Sequence, residues 1–239
     1  MIPKIIHFCW FGREARPQEF QKYLSSWKKY CPDFKIMEWN EDTFDLSCNT
    51  YVNEAYCAKK WAFVTDYVRL WAIYTYGGIY MDTDVELLQP IDVFLKDKAF
   101  SGFESIHTVP TGIMGGEAKH PVYKALLEEY TDRKFNLGNG KYNLTTNVEY
   151  ITQYFQARGM RPDNSLQVIE DFTLYPKEYF CPKNPRTLKI ECTKNTYAIH
   201  HFASSWVPVR TRIRKQIKKV LGPQAMEVVI RFMDRFGIK

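Results

Sequence analysis

The sequence lacks the features that mark membrane-spanning, secreted or disulfide-bonded proteins. No apolar run approaches the roughly 18 residues that a transmembrane helix needs. The start, MIPKIIHFCWFG, has no basic segment followed by a long apolar run and a cleavage site, so no secretory leader is expected. The six cysteines are scattered without a C-x-x-C pair, which predicts free thiols in a reducing compartment. We therefore expect a cytoplasmic protein.

Internal repeats and low-complexity segments are also absent. The 239 residues are 45% hydrophobic and 25% charged, which is typical of one large globular domain. The net charge of +6 is uneven, because residues 207–239 carry nine Lys or Arg and only two acids. The body is therefore nearly neutral, and since no nucleic-acid-binding motif accompanies the basic residues, we expect no nucleic-acid partner.

The basic residues of the C-terminal tail alternate with apolar ones at helical spacing, as Ile213, Ile217, Val220 and Leu221 show. We predict a domain over residues 1–206 and a basic amphipathic helical tail over 207–239. Two interpretations of the tail remain open. It lies flat on an anionic membrane, which would make the protein peripheral on the inner membrane face, or it packs against the domain with its charges solvated.

The first forty residues predict a strand, a helix and a second strand. IPKIIHFCWFG is rich in strand formers, PQEFQKYLSSWKKY has apolar residues at helical spacing, and DFKIMEWN is a second short apolar run. Such a βαβ unit builds a mostly parallel sheet flanked by helices, which is the α/β class.

A long apolar helix is predicted next, from about Ala55 to Tyr76, ending at Gly77 and Gly78. Asp66 and Arg69 interrupt its apolar surface and, three residues apart, share one face. A buried salt bridge is one interpretation. Because such a pair is a costly way to stabilise a core, we favour a ligand-binding role.

Two aspartates follow the glycine pair in GGIYMDTDVELLQP. On a continuous strand, Asp82 and Asp84 would point the same way, about 7 Å apart. Carboxylates at this spacing can share a hard cation such as Mg²⁺ or Mn²⁺, which in turn can hold a diphosphate. A D-x-D triplet alone is weak evidence, but here it adjoins an apolar strand and the Asp66–Arg69 pair.

The segment FVTDYVRLWAIYTYGGIYMDTDVELLQP resembles the sugar-binding region of the D-x-D glycosyltransferases of family 32. That family includes enzymes of capsular and surface polysaccharide synthesis and fungal mannosyltransferases, and it is similar to the glucosyltransferase domains of the large clostridial toxins. The resemblance extends to IPKIIHFCWFG and AIHHFASSW, so it spans residues 2 to about 206. It implies a GT-A fold and retaining transfer of a hexose from a nucleotide sugar, with UDP-hexoses the expected donors.

The resemblance also implies roles for individual residues. Asp84 would bind the metal directly, and Asp82 would bind the ribose and reach the metal through water. Asp66 would accept hydrogen bonds from sugar hydroxyls, and Arg69 would contact the sugar or the phosphates. The other implied positions are Trp10 on the nucleobase, Tyr80 lining the pocket, His201 as a metal ligand with His200 its competitor, Ser205 and Trp206 on the diphosphate, and Thr145, Thr146 and Asn147 on the acceptor side.

These expectations describe a metal-dependent transferase that acts on a glycan or a lipid-linked acceptor. Two alternatives remain, a non-catalytic nucleotide-sugar-binding protein and a metal-dependent phosphoester hydrolase. A hydrolase would usually need more acids or histidines to hold a second metal ion. The intact set of Asp66, Arg69, Asp82 and Asp84 argues against a degenerate binding protein.

Overall fold

The computed structural model describes residues 1–109 and 112–203, together with Gly222, Ala225, Met226 and Ile230. The predicted tail, apart from those four positions, and the predicted diphosphate contacts Ser205 and Trp206 lie outside the described residues. Within the described ranges, no helix is both long enough and apolar enough to cross a bilayer.

The described part of the chain contains short strands and five α-helices, joined by loops. The strands are β1 (Ile5–Cys9), β2 (Lys35–Trp39), β3 (Gly78–Met81), β4 (Val85–Leu87), β5 (Ala99–Gly102), β6 (Ile113–Gly116), β7 (Asn136–Gly138), β8 (Lys141–Tyr142), β9 (Gln167–Ile169), β10 (Phe172–Tyr175) and β11 (Ala198–His200). The helices are α1 (Gln18–Tyr30), α2 (Thr50–Cys57), α3 (Trp61–Tyr76), α4 (Pro121–Glu128) and α5 (Asn147–Gln156).

A seven-stranded sheet in the order β2-β1-β3-β6-β5-β10-β9 forms the centre of the fold. Strands β2, β1, β3, β5 and β10 run in one direction, and β6 and β9 run in the other. The mostly parallel sheet predicted from the βαβ opening is therefore confirmed. Small antiparallel pairs, β4 with β11 and β7 with β8, complete the strands.

Apolar residues cover both faces of the sheet, because strand side chains alternate between them. On one face α3 packs with Val64, Val68 and Ile73 fully buried. On the other face α1 buries Trp27, whose indole N–H donates to the carbonyl of Val85 at 2.8 Å. That bond ties α1 to the start of β4, directly after the two aspartates.

The long helix predicted from about Ala55 to Tyr76 is two helices, so that prediction was wrong. The break follows α2, where Lys59 has a positive φ of 55° and the amide of Lys60 donates back to the carbonyl of Ala55 at 2.9 Å. This geometry ends one helix and lets α3 begin at Trp61 in a new direction. Asp66 and Arg69 both lie on α3, as predicted.

The glycine pair turns the chain from α3 into β3 against crowded neighbours. Gly77 and Gly78 have φ values of 66° and 107°, which side chains disfavour. A Cβ on Gly78 would stand 2.7 Å from the carbonyl oxygen of Ile5. Only glycine allows β3 to start this close to β1.

The two aspartates lie in a turn and not along a strand, which corrects the predicted alternation. Strand β3 ends at Met81, and the amide of Val85 donates to the carbonyl of Asp82 at 3.0 Å, which closes a tight turn before β4. The relative position of the carboxylates is therefore set by the turn and by the groups that bind them.

Candidate functional site

Several strand ends meet at one edge of the sheet, beside the aspartate turn. Strands β1, β3, β5 and β10 all end at this edge, because they run in the same direction. Antiparallel β6 begins there, and the carbonyl of Gly112 accepts the amide of Asp82 at 2.8 Å. Ligands of open α/β sheets bind at this edge.

Asp82, Asp84 and His200 form a compact group of potential metal ligands. One ligand atom from each lies within 4.8 Å of the others. The imidazole Nε2 of His200 is 3.4 Å from Oδ1 of Asp84 and 3.9 Å from Oδ2 of Asp82. Two carboxylates and an imidazole at this spacing are a suitable ligand set for Mn²⁺, and the carboxylates also suit Mg²⁺.

The structure assigns the histidine of this group to His200, which corrects the prediction of His201. His200 pairs with Val85 in the β4–β11 ladder, and this register directs its ring toward the aspartates. The next side chain takes the other direction. His201 stacks on Tyr23 at 4.8 Å and its Nε2 contacts Glu86 at 2.8 Å. His201 thus holds the end of β11 on the far side of the ladder.

Opposite charges stabilise the ionised forms of Asp84 and His200. Burial opposes the charge on each, but Asp84 raises the pKa of His200 well above its usual value. His200 and the backbone amide of Ala203, 2.6 Å from Oδ2, lower the pKa of Asp84 to about 2 despite that burial. A bound cation would take the place of the imidazolium proton, because His binds metals in its neutral form.

Arg69 connects Asp66 on α3 to Asp82 in the aspartate turn. Its Nη2 lies 3.5 Å from Oδ1 of Asp66 and 3.2 Å from Oδ1 of Asp82, with the side chain only 6% exposed. Burial raises the pKa of Asp82, and Arg69 counteracts this. The structure therefore brings Asp66, Arg69 and Asp82 together.

Tyr80 lies beneath this group instead of lining an open pocket. It is 1% exposed, its hydroxyl donates to Oδ1 of Asp82 at 2.8 Å, and the Arg69 guanidinium lies 4.7 Å from its ring centroid. Tyr80 thus fixes the orientation of the Asp82 carboxylate from below.

Asp66 also binds the start of α5, which brings Asn147 to the site. The amide of Asn147 donates to Oδ2 of Asp66 at 3.2 Å, and its side-chain Nδ2 donates to the Asp66 carbonyl at 3.0 Å. Burial raises the pKa of Asp66 to about 6, against the effect of Arg69. Of the three residues predicted on the acceptor side, Asn147 therefore contacts Asp66, the residue predicted to bind the sugar hydroxyls. Thr146 caps α5.

Trp10 follows β1 at the same edge and lines a cavity of about 500 Å³. Its indole N–H donates to the carbonyl of Glu14 at 2.7 Å, so the ring is fixed by the loop after β1. Arg13 and Arg16 line the cavity too, and both are paired, with Asp42 and Glu38 respectively. The structure thus places the predicted nucleobase residue beside an open space.

The sequence analysis missed Gly112, which carries no recognisable signal. A Cβ on this residue would stand 2.8 Å from Nδ1 of His200, so the imidazole packs directly on the glycine. The missing side chain therefore creates the space that His200 occupies beside the two aspartates.

Sequence comparisons identify related proteins. Residues 17–101 match the family model described as the glycosyltransferase sugar-binding region containing the DXD motif. The uncharacterized glycosyltransferase L373 of Acanthamoeba polyphaga mimivirus is 28% identical over 221 residues, which cover 87% of this chain and 85% of that protein. Inositol phosphoceramide mannosyltransferase 3 of Schizosaccharomyces pombe is 26% identical over 143 residues, 56% of this chain and 39% of that protein. The chain thus covers most of the viral relative but less than half of the fungal one.

Solved structures show the same fold at low sequence identity. The PaToxG glycosyltransferase has a TM-score of 0.50 at 16% identity, over 66% of this chain and 71% of that one. The glycosyltransferase GlyE of Streptococcus pneumoniae TIGR4 also has a TM-score of 0.50, at 10% identity, over 98% of this chain and 65% of that one. The GT-A fold expected from the sequence resemblance is therefore confirmed.

Proposed function

We propose that this chain, a glycosyltransferase with a DXD motif, transfers a hexose from a nucleotide sugar to a hydroxyl group of a glycan or lipid-linked acceptor. The donor is UDP-linked and the anomeric configuration is retained, as the resemblance to family 32 implies. The product belongs to surface or capsular polysaccharide synthesis.

The observation that carries this proposal is the group of Asp82, Asp84 and His200 beside Arg69. Their ligand atoms lie within 4.8 Å of one another and are suited to a divalent cation, Mn²⁺ or Mg²⁺. When bound there, the cation neutralises the charge of the donor diphosphate as it departs. Arg69 adds a second positive charge at the same edge, held in place by Asp66 and Asp82.

The remaining donor contacts follow from the positions of the side chains along the sheet edge. Trp10 stacks on the nucleobase in the cavity after β1. Asp66, with Asn147 beside it, accepts hydrogen bonds from the sugar hydroxyls. The resemblance also assigns Ser205 and Trp206 to the diphosphate.

Mannose is a second candidate for the transferred sugar. The fungal relatives are named as mannosyltransferases of inositol phosphoceramide, which is a lipid acceptor. Their names favour a mannose donor and a lipid-linked acceptor for this chain as well.

The basic tail gives a separate proposal about location. Residues 209–239 bind the inner face of an anionic membrane and bring a cytoplasmic enzyme to a lipid-linked acceptor. Full-length protein and a variant lacking residues 209–239 would be compared by flotation with anionic and neutral vesicles. We expect only the full-length protein to float with anionic vesicles, and its failure to do so would contradict the proposal.

Donor turnover tests the enzymatic proposal. The purified full-length protein would be incubated with Mn²⁺ and UDP-glucose, UDP-galactose or GDP-mannose, and release of the nucleoside diphosphate would be followed. We expect turnover of one donor, abolished by chelation and reduced roughly a hundredfold or more by Asp84→Asn. The control Asp171→Asn alters an exposed aspartate paired with Lys98 and should change nothing.

Other outcomes would favour the alternatives. Metal-dependent binding of UDP without turnover of any donor would favour a non-catalytic nucleotide-sugar-binding protein. Release of inorganic phosphate from simple phosphate esters, lost in Asp84→Asn, would favour a hydrolase.

A further inference from the structure

Glu104 follows strand β5 and lies at the same edge of the sheet as the two aspartates. In the sheet order, β6 separates β5 from β3. Because neighbouring strands are about 4.8 Å apart, the ends of β3 and β5 are about 10 Å apart at this edge. Glu104 and Asp82 therefore lie on either side of the start of β6.

His200 lies beside the start of β6. Its ring packs on Gly112, which directly precedes β6 and so lies between the ends of β3 and β5. The charges of His200, Lys177 and Asp82 all act on Glu104, although burial has the largest effect on its pKa and raises it. Glu104 thus approaches the metal-ligand group from the β5 side, whereas Asp66 and Arg69 approach it from α3.

Among the described residues, Glu104 differs from Asp66, Asp82 and Asp84 because its carboxylate has no hydrogen-bond or ion-pair partner there. Asp66 is held by Arg69 and α5, Asp82 by Arg69 and Tyr80, and Asp84 by His200 and Ala203. The carboxylate of Glu104 is half-buried, yet it makes no hydrogen bond or ion pair within residues 1–109 and 112–203. Because the side chain is only partly buried, its carboxylate is open to a substrate hydroxyl at this edge.

The loop geometry does not require this side chain. The backbone amide of Glu104 donates to the carbonyl of Thr108 at 2.9 Å, and Phe103 is bonded to the carbonyl of Tyr175. These contacts hold the backbone whatever side chain stands at position 104. The carboxylate is therefore available for chemistry.

We infer that Glu104 accepts the proton of the attacking hydroxyl, and this inference rests on the proposed glycosyl transfer. A bond forms between the hydroxyl oxygen and the anomeric carbon on the face from which the diphosphate departs, which retains the configuration, while the bond from that carbon to the diphosphate oxygen breaks. The electron pair of the broken bond stays on the diphosphate. The proton of the hydroxyl passes to the Glu104 carboxylate and then to solvent. In donor hydrolysis, water takes the place of the acceptor hydroxyl.

The experiment compares Glu104→Gln with the wild-type protein in Mn²⁺-dependent hydrolysis of the donor that the wild type turns over. The glutamine keeps the shape of the side chain but cannot take up a proton at neutral pH. We expect the turnover number to fall roughly a hundredfold or more, with the affinity for Mn²⁺ and UDP within twofold of the wild type. Glu104→Asp, which withdraws the carboxylate by one methylene, should lose less. Glu19→Gln, on the exposed first turn of α1, is the matched control.

Rescue by azide distinguishes loss of the base from structural damage. Azide is a nucleophile that carries no proton, so it can react without a base. Adding sodium azide to Glu104→Gln should restore donor turnover to within tenfold of the wild type, with glycosyl azide and the nucleoside diphosphate as products. Hydrolysis by Glu104→Gln at the wild-type rate, or no rescue by azide, would overturn the inference. Either result would leave the proposed transferase intact, provided that the wild type turns over donor and Asp84→Asn does not. A wild type without turnover would refute both.

Discussion

Replacing Gly112 by alanine tests whether His200 belongs to the metal site, without touching any ligand. Gly112 lies in direct contact with the imidazole and contributes only backbone to the site. An added Cβ would stand 2.8 Å from Nδ1, 3.0 Å from Cγ and 3.1 Å from Cε1 of His200. Three ring atoms would be too close at once, so a small rotation of the ring does not relieve the contact.

The size of the effect follows from these distances. Ordinary contact begins at 3.4 Å, so the ring must move by about 0.6 Å. Metal-ligand distances tolerate about 0.2 Å, so His200 could no longer bind the cation together with both aspartates. Displacing a ligand or its support typically weakens metal binding 10- to 100-fold, which corresponds to about 1.4–2.7 kcal/mol. We therefore expect the dissociation constant for Mn²⁺ to rise by about that factor.

Titration of Mn²⁺ into protein with bound UDP, followed by calorimetry or by electron paramagnetic resonance of free Mn²⁺, measures this constant. His200→Ala should weaken binding at least as much as Gly112→Ala. The double variant should bind no worse than His200→Ala alone, because the alanine would then have no ring to displace. His107→Ala is the control, since His107 is exposed and is not one of the potential metal ligands. Unchanged Mn²⁺ affinity in Gly112→Ala, or additive losses in the double variant, would refute the assignment of His200.

Three further predictions concern the buried polar groups. Arg69→Met leaves Asp66 and Asp82 without their shared cation, so the free energy of unfolding measured in urea should fall by about 3–5 kcal/mol, and a loss below about 1 kcal/mol would contradict the pairing. His7 is fully buried, and burial lowers its pKa to about 4. Because the unfolded chain binds this proton near pH 6.5, stability should drop by about 3 kcal/mol between pH 7 and pH 4, and His7→Gln should lose less over that range. Asn147→Ala should lower donor turnover while UDP affinity stays constant, since Asn147 binds Asp66, which is proposed to contact the sugar; weaker UDP binding would contradict this placement.

Local patterns were sufficient to predict the βαβ opening and the buried helix that carries Asp66 and Arg69. Residues whose conformation depends on distant contacts were harder. The break before α3 falls in Ala58, Lys59 and Lys60, which are all acceptable in helices, so no local signal reveals it. The glycines of strand β6 locally favour a turn. Its glycines instead make room for neighbouring rings, because a Cβ on Gly115 would stand 2.5 Å from Phe100.

Only part of the candidate site was predicted, because some of its contacts join residues that are distant in sequence. The D-x-D motif and its neighbours Asp66 and Arg69 are close in sequence, and the structure brings them together. Strand alternation showed that His200 and His201 face opposite ways, but it could not show which one faces the aspartates. That choice depends on the pairing of His200 with Val85, which is a tertiary contact.

Two separate parts of the chain supply the group of Asp82, Asp84 and His200 and the contacts that hold it. The segment that matches the glycosyltransferase family model, residues 17–101, contains both aspartates, Arg69 and Asp66 but ends before the histidine. The second part, β11 and the residues after it, supplies the imidazole of His200 and the amide of Ala203, and both bind Asp84. Asp82 keeps Arg69 and Tyr80 as partners without this segment, whereas Asp84 loses both of its side-chain contacts. Pairing of β11 with β4 therefore affects the contacts of Asp84 more than those of Asp82, so we expect cation affinity to depend on how β11 is held.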